Sequence, residues 1–280
     1  MVELYYIITL MNFKKAIRFF RKNYIITIFI ACILFVGVVV IARSYFSKPT
    51  YVYVKVKVGQ GLWWATTAKP PIWMVDAIKK GDVARNLLGN PTAEILSKRY
   101  YRYYGSDQFD VYLTMRLKVS GSNKTGTYSF ARSTLSVGTP IEVQFPKEDL
   151  TGTVIALSAN PFIDNSEEKI VYLTKKYAHP WEFDSIYVGD SATDGNNVYF
   201  EVLEKSINPQ NLLSYSSNYT NSGANVLEPA NYVIVKARMR LNKLGNQWLL
   251  GEDQPVIPGR ILSISTANFV FENYIVTKIE

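Results

Sequence analysis

The chain has 280 residues, 48% hydrophobic, 14% aromatic and 19% charged, with 31 Lys or Arg against 23 Asp or Glu. That length supports one or two domains with a sizeable core, which excludes a peptide or a disordered tail. Twenty Tyr, five Trp and a single Cys exclude low-complexity disorder and a disulfide-stapled miniprotein.

The N-terminal residues 1–23 form a short basic segment carrying Lys14, Lys15, Arg18, Arg21 and Lys22. Ile25 to Ala42 then runs for eighteen residues without a charge. At about 1.5 Å per residue, such a helix nearly crosses a hydrocarbon core of roughly 30 Å. Tyr24 and Tyr45 suit the two interfaces, so residues 24–46 are expected to be a transmembrane signal anchor in the lipid bilayer. A buried core helix and a cleaved signal peptide are the rivals. The run is long for a signal peptide, and Ala42-Arg43-Ser44-Tyr45-Phe46 is a poor cleavage context. The upstream cations place the N-terminus in the cytoplasm and the rest of the chain outside the cell membrane, as a single-pass protein. Arg43, Lys48, Lys55 and Lys57 on the far side narrow that margin. Met11 followed by Asn12-Phe13-Lys14-Lys15 also reads as a start, beside Met1.

The formal charge of +8 invites nucleic acid as a partner. Its location argues otherwise. Residues 1–48 hold seven Lys or Arg against one acid, whereas the remainder holds 24 against 22. The excess is juxtamembrane and suits anionic headgroups, and the near-neutral remainder lacks a phosphate-binding footprint. No nucleic acid is expected.

From Tyr51 onward the sequence repeats with a period near a domain length, and strands alternate apolar and polar residues throughout. Val52–Val58 answers to Ile170–Thr174. Gly81-Asp82 answers to Gly189-Asp190, and Thr92–Lys98 to Phe200–Lys205. Val111–Val119 answers to Tyr232–Leu241. Val137-Gly138-Thr139 answers to Pro258-Gly259-Arg260, and Thr153–Leu157 to Tyr274–Ile279. The β-branched and Tyr content with Gly, Asn, Asp and Pro punctuation predicts a mainly β fold. The expectation is two tandem small β-barrel or sandwich-like units, residues 51–158 and 170–280, joined by a linker over 159–169. Pro71–Lys80 is the best helical candidate, with Pro at its start and Gly81 past its end. Ser214–Gly223 reads as a surface loop.

These residues resemble the bacterial domain-of-unknown-function family numbered 4330, whose members look like short membrane anchors followed by a β-rich domain. Val54-Lys55-Val56, Gly81-Asp82, Gly89-Asn90 before Ala93-Glu94-Ile95, Asp110–Thr114, Val137-Gly138-Thr139 and Thr151–Val154 carry the likeness. It covers most of Tyr51–Ser158. The second copy is looser, with Tyr274 where Gly152 aligns. The resemblance implies architecture and location and supplies no activity.

Catalytic inventories are thin. His179 is the only His and Cys32 the only Cys. That leaves no zinc set, no Ser-His-Asp triad and no Cys-His pair, and His179 before Pro180 reads as a surface loop residue. No phosphate loop, dinucleotide loop or EF-hand spacing occurs, so no cofactor and no metal are expected. Glu94 and Glu201 hold equivalent strand positions, and Asp82 and Asp190 follow turn glycines. Paired acids of that kind keep a carboxylate-dependent cell-wall glycan hydrolase as a remote alternative. Asn123-Lys-Thr and Asn218-Tyr-Thr match a glycosylation sequon, discounted on the bacterial resemblance.

The aromatic clusters are the candidate partner or ligand surface: Trp63, Trp64 and Trp73, and the stretch Tyr100, Tyr101, Arg102, Tyr103 and Tyr104. The tryptophans fall in a segment that the second copy shortens, and so read as an insertion. They suit a glycan, an envelope protein, the membrane interface, or a lid over the first barrel. The Tyr/Arg stretch suits a partner or a strand end shielding the core. The expected role is a non-enzymatic scaffold or binding protein of the bacterial cell envelope. A component of a secretion or export assembly, by analogy with membrane-fusion adaptors, is the alternative.

Overall fold

The computed structural model describes residues 24–46, 50–59, 69–103, 107–122, 126–208, 213–217 and 226–280. Met1–Pro49 and Thr50–Glu280 are separate compact units.

In the first, α1 spans Tyr24–Phe46, 23 residues. Among the described residues no helix is long and apolar enough to cross a membrane. A helix therefore stands where a span is expected, and the span itself is not shown.

The second unit is mainly β and carries two curled, barrel-like sheets. The first sheet uses β1 (Thr50–Val58), β2 (Val83–Arg85), β3 (Pro91–Arg102), β4 (Phe109–Ser122), β7 (Pro140–Gln144) and β8 (Asp149–Ser158). Their order is β2-β3-β4-β1-β8-β7, with β5 (Thr127–Phe130) pairing β4 and β6 (Ser133–Leu135) pairing β5. The second sheet uses β9 (Ser166–Ala178), β10 (Ser191–Thr193), β11 (Val198–Ile207), β13 (Val226–Leu244), β16 (Ile261–Ser265) and β17 (Val270–Ile279). It runs β10-β11-β13-β9-β17-β16, the same path, with β14 (Gln247–Leu250) and β15 (Gln254–Val256) in the places of β5 and β6.

Alternation builds each core. Val52, Val54, Val56 and Val58 of β1 all point inward, and Val171 and Leu173 do so in β9. The Gly-Asp step repeats bond for bond. Gly81 N–H donates to the Ile95 carbonyl and Gly189 N–H to the Val202 carbonyl, each at 2.8 Å. Both glycines sit at positive φ, where a side chain would be strained.

Three expectations need correction. The helix of the first β-unit, α2, is shorter than Pro71–Lys80 and spans Ile72–Ala77. Ser166 to Lys169, placed in the linker by composition, open β9 and pair with β13. Ser214 to Ser217 lie in β12 (Leu213–Ser217) rather than a loop, because Tyr215 pairs with Glu228 in β13. The rest of that stretch, 218–223, lies outside the described residues. His179 also has a local role, preceding α3 (Pro180–Ser185) as its N-cap, with its backbone N–H donating to Glu182 at 3.1 Å.

Candidate functional site

The end of β3 is where the two sheets meet. A bulge between Ile95 and Ser97 shifts the alternation of β3 against β4. Beyond it, successive tyrosines serve different cores. Tyr100 packs on the first, edge-on to Phe109 at 5.6 Å. Tyr101 packs on the second, with its ring centroid 5.0 Å from that of Tyr199. Burial raises the Tyr101 phenol well above its ordinary pKa, so it stays neutral at the seam.

The second sheet answers with the turn between β10 and β11. Tyr100 N–H donates to the Asp194 carbonyl at 3.0 Å, and the Asn196 amide donates to the Lys98 carbonyl at 2.7 Å. The Asp194 carboxylate braces this turn by accepting from the Asn196 and Asn197 N–H groups at 2.9 and 2.8 Å. Gly195 lies against the Tyr100 ring, which occupies the space a Cβ would need.

Charge follows a simple rule across the seam. The first sheet offers cations, and connections of the second unit and the segment before β9 offer acids, with Arg240 of β13 joining Arg99 on Asp164. Lys55 meets Glu252 and Lys57 meets Asp253, each at 2.6 Å. Arg99 reaches Asp164 at 2.9 Å, Glu252 at 3.5 Å and Asp194 at 3.8 Å. Burial alone would raise the Asp164 carboxyl. The Ser166 hydroxyl and Arg99 outweigh it and hold that pKa below the usual range. The more open pair, Lys57–Asp253, is worth about 0–1 kcal/mol, while Glu252 and Asp194 are mostly buried and depend on Arg99 and Lys55 to stay paired.

Two cavities of about 520 and 400 Å³ flank this contact. The smaller is lined by Lys57, Lys69, Tyr103, Asp110, Tyr112 and Asp253. Lys69 pairs with Asp110 and sits 3.8 Å above the Tyr103 ring, while Lys57 sits 5.2 Å from the Tyr112 ring centroid. Ammonium and carboxylate groups there satisfy one another. What the arrangement does chemically is dock one unit on the other.

The sequence-based surface is therefore redrawn. Tyr100 and Tyr101 face the second copy of the unit rather than an outside partner, Tyr103 is half-buried over Lys69, and Arg102 is exposed. Trp63, Trp64 and Tyr104 lie outside the described residues. Trp73 is on α2 and 70% exposed, and it does not belong to an insertion. Counting back from Gly81 and Gly189 places it at the position of Trp181 on α3, itself 61% exposed.

The repeated acids have structural partners. Arg116 holds Glu94 across β3 and β4, and Arg238 holds Glu201 at 3.0 Å at the matching place in β11 and β13. Asp190 accepts from the Thr266 hydroxyl and from the Asn268 amide at 3.0 Å. Those bonds tie the start of β10 to the end of β16 and so close the curl of the second sheet. In the first sheet the corresponding place brings Glu148 beside Asp82. Burial, then the Asp82 charge, raises the Glu148 pKa, and both its carboxylate oxygens are buried without a hydrogen bond among the described residues.

No family model, curated protein or solved structure matches the chain. Sequence reasoning missed Asp164, Asp194 and Glu252, which come from three separate connections and share no local pattern. The doubled tryptophan was legible, at the same distance before each Gly-Asp step.

Proposed function

We propose that the chain is a membrane-anchored, non-enzymatic scaffold of the bacterial envelope, with its two β-units outside the cytoplasmic membrane. The observation that carries this reading is the seam, where successive residues of β3, Tyr100 and Tyr101, belong to the two cores. Two units docked in that way form a presenting body rather than a clamp that opens on a ligand.

The anchor is supported by the uncharged run Ile25–Ala42 and by the character of α1. Phe29, Leu34, Phe35 and Val38, on different sides of the helix, are all exposed. A helix apolar all round needs an apolar surrounding, and lipid supplies one. The five cations before it favour a cytoplasmic N-terminus. Anchoring would raise the local concentration of both units for a neighbouring envelope protein or glycan. Trp73 and Trp181, exposed at equivalent positions, are the side chains best suited to meet that neighbour.

Protease accessibility of a C-terminal tag in intact spheroplasts tests the topology. Cleavage of the tag while a cytoplasmic control survives is the expected result. Protection of the tag would put the two units in the cytoplasm and end the envelope reading.

A further inference from the structure

The contact between the two units is head to tail, so it leaves one unused half at each end. The first unit receives, through the end of β3 and the outer face of β1. The second inserts, through the Asp194–Asn197 turn and the turn carrying Glu252 and Asp253. The first unit has the matching inserting turns, and nothing among the described residues covers Leu87 or Leu88 in one of them. These side chains are 107% and 84% exposed. Asn86 braces this turn as Asp194 braces its counterpart, accepting from the Leu88 and Asn90 N–H groups at 3.0 Å. The second unit has the matching receiving face, at the half-buried Tyr172 on β9 and at Ile207 at the end of β11.

We propose that the Leu87–Leu88 turn of one chain docks on the Ile207 face of a second copy, repeating the internal seam between molecules. Continuity with the internal seam argues for it, and size complementarity supports it. Inside the chain, Gly195 on the inserting turn meets bulky Tyr100. At the free ends the sizes exchange: leucine stands on the turn and the smaller Ile207, 39% exposed, at the position of Tyr100. The Glu252 turn that reaches Lys55 is replaced in the first unit by Ala131 and Arg132, both held at positive φ of 48° and 72°. At the place of Lys55 stands Tyr172, whose hydroxyl lies 3.4 Å from Glu280, and Glu280 is paired with Lys278. A heterologous contact of this sort builds a closed ring or an open array of copies.

The proposal rests on the scaffold reading for its use but not for its geometry. Mass is read whichever side of a membrane the units face, so a wrong topology and a wrong contact fail in different experiments. The full chain in density-matched detergent is examined by sedimentation, alone and as variants. The wild-type chain is expected to grow beyond one copy per particle as concentration rises. The double variant L87D/L88D and the variant I207R are each expected to stay at one copy. Their equimolar mixture is expected to double in mass and stop there, because it holds one intact inserting turn and one intact receiving face. Glu280→Arg, at an exposed position, serves as the receiving-face variant if I207R fails to fold. A wild-type chain that stays single, variants that still assemble, or a mixture that stays single would each overturn the proposal.

Discussion

Tyr101 of the first unit and Tyr199 of the second stand edge to face, with ring centroids 5.0 Å apart and planes at 67°. Tyr101 also meets Tyr112 of its own sheet at 5.9 Å. One ring thus links the outer face of the first sheet to the core of the second. Truncating Tyr101 to Ala is expected to cost about 2–4 kcal/mol, in the range for a large aromatic lost from a packed site. It should also uncouple the units. Urea denaturation followed by far-UV signal is expected to split from one transition into two, and an unchanged single transition would show that the seam is not held by this ring.

The Gly195 turn offers a cleaner probe. Gly195 and Gly81 share a φ of +90°, so both pay the left-handed strain of about 1–2 kcal/mol when replaced by Ala. Only at Gly195 does the new Cβ run into a neighbour, the Tyr100 ring across the seam, while Gly81 has open space. Gly195→Ala is expected to destabilise more than Gly81→Ala by about 1–3 kcal/mol, the range for overpacking. Equal melting temperatures for the two variants would mean that the turn moves freely away from Tyr100.

Alternation made the strands and the duplication readable, because a half-buried strand writes its inner face into every second residue. Val52 to Val58 is the plain case. What alternation cannot say is what covers the outer face. Tyr100 and Tyr101 read as a partner surface or as a strand end shielding the core, and what they meet is another part of the same chain. Trp73 was misplaced for a different reason. Its neighbours Met74 and Val75 become Glu182 and Phe183 in the second copy, which hides the match unless the count starts from the Gly-Asp step. The seam's acids were not legible at all, since Asp164, Asp194 and Glu252 come together only once both sheets have formed.

Closure of the two curled sheets differs in a way that pH should reveal. Asp190 is hydrogen-bonded to Thr266 and Asn268, whereas Asp82 faces Glu148, whose folded pKa is raised by burial and by that neighbouring charge. The folded state therefore binds a proton at Glu148 before the unfolded chain does. Stability from this group is fully present below the unfolded carboxylate value near 4.3 and is lost as pH rises through the folded pKa. Glu148→Gln is expected to stabilise the protein at neutral pH and to leave it unchanged once the wild-type carboxyl is protonated. Urea midpoints of the two proteins should converge on acidification, and parallel midpoints at every pH would show that Glu148 is not held against Asp82.

The same strand position is filled in opposite ways in the two units. Gly152 of β8 lies so close to β1 that a Cβ would stand 2.6 Å from the Lys57 carbonyl oxygen. Its counterpart Tyr274 is fully buried, with a Lys175–Glu182 pair of 2.6 Å nearby and the Lys175 ammonium 5.7 Å from its ring centroid. The Tyr274 hydroxyl has no hydrogen-bond partner among the described residues, and burial, then the Glu182 charge, pushes its pKa upward. An unpaired buried hydroxyl costs about 1–3 kcal/mol. Tyr274→Phe removes only that oxygen and keeps the ring that fills the second core beside Phe271. It is expected to stabilise by about 1 kcal/mol, read as a higher midpoint in urea with an unchanged slope. A lower midpoint would mean that the hydroxyl is bonded in solution, and the Glu182 carboxylate, whose charge acts on it, is tested next through Glu182→Gln.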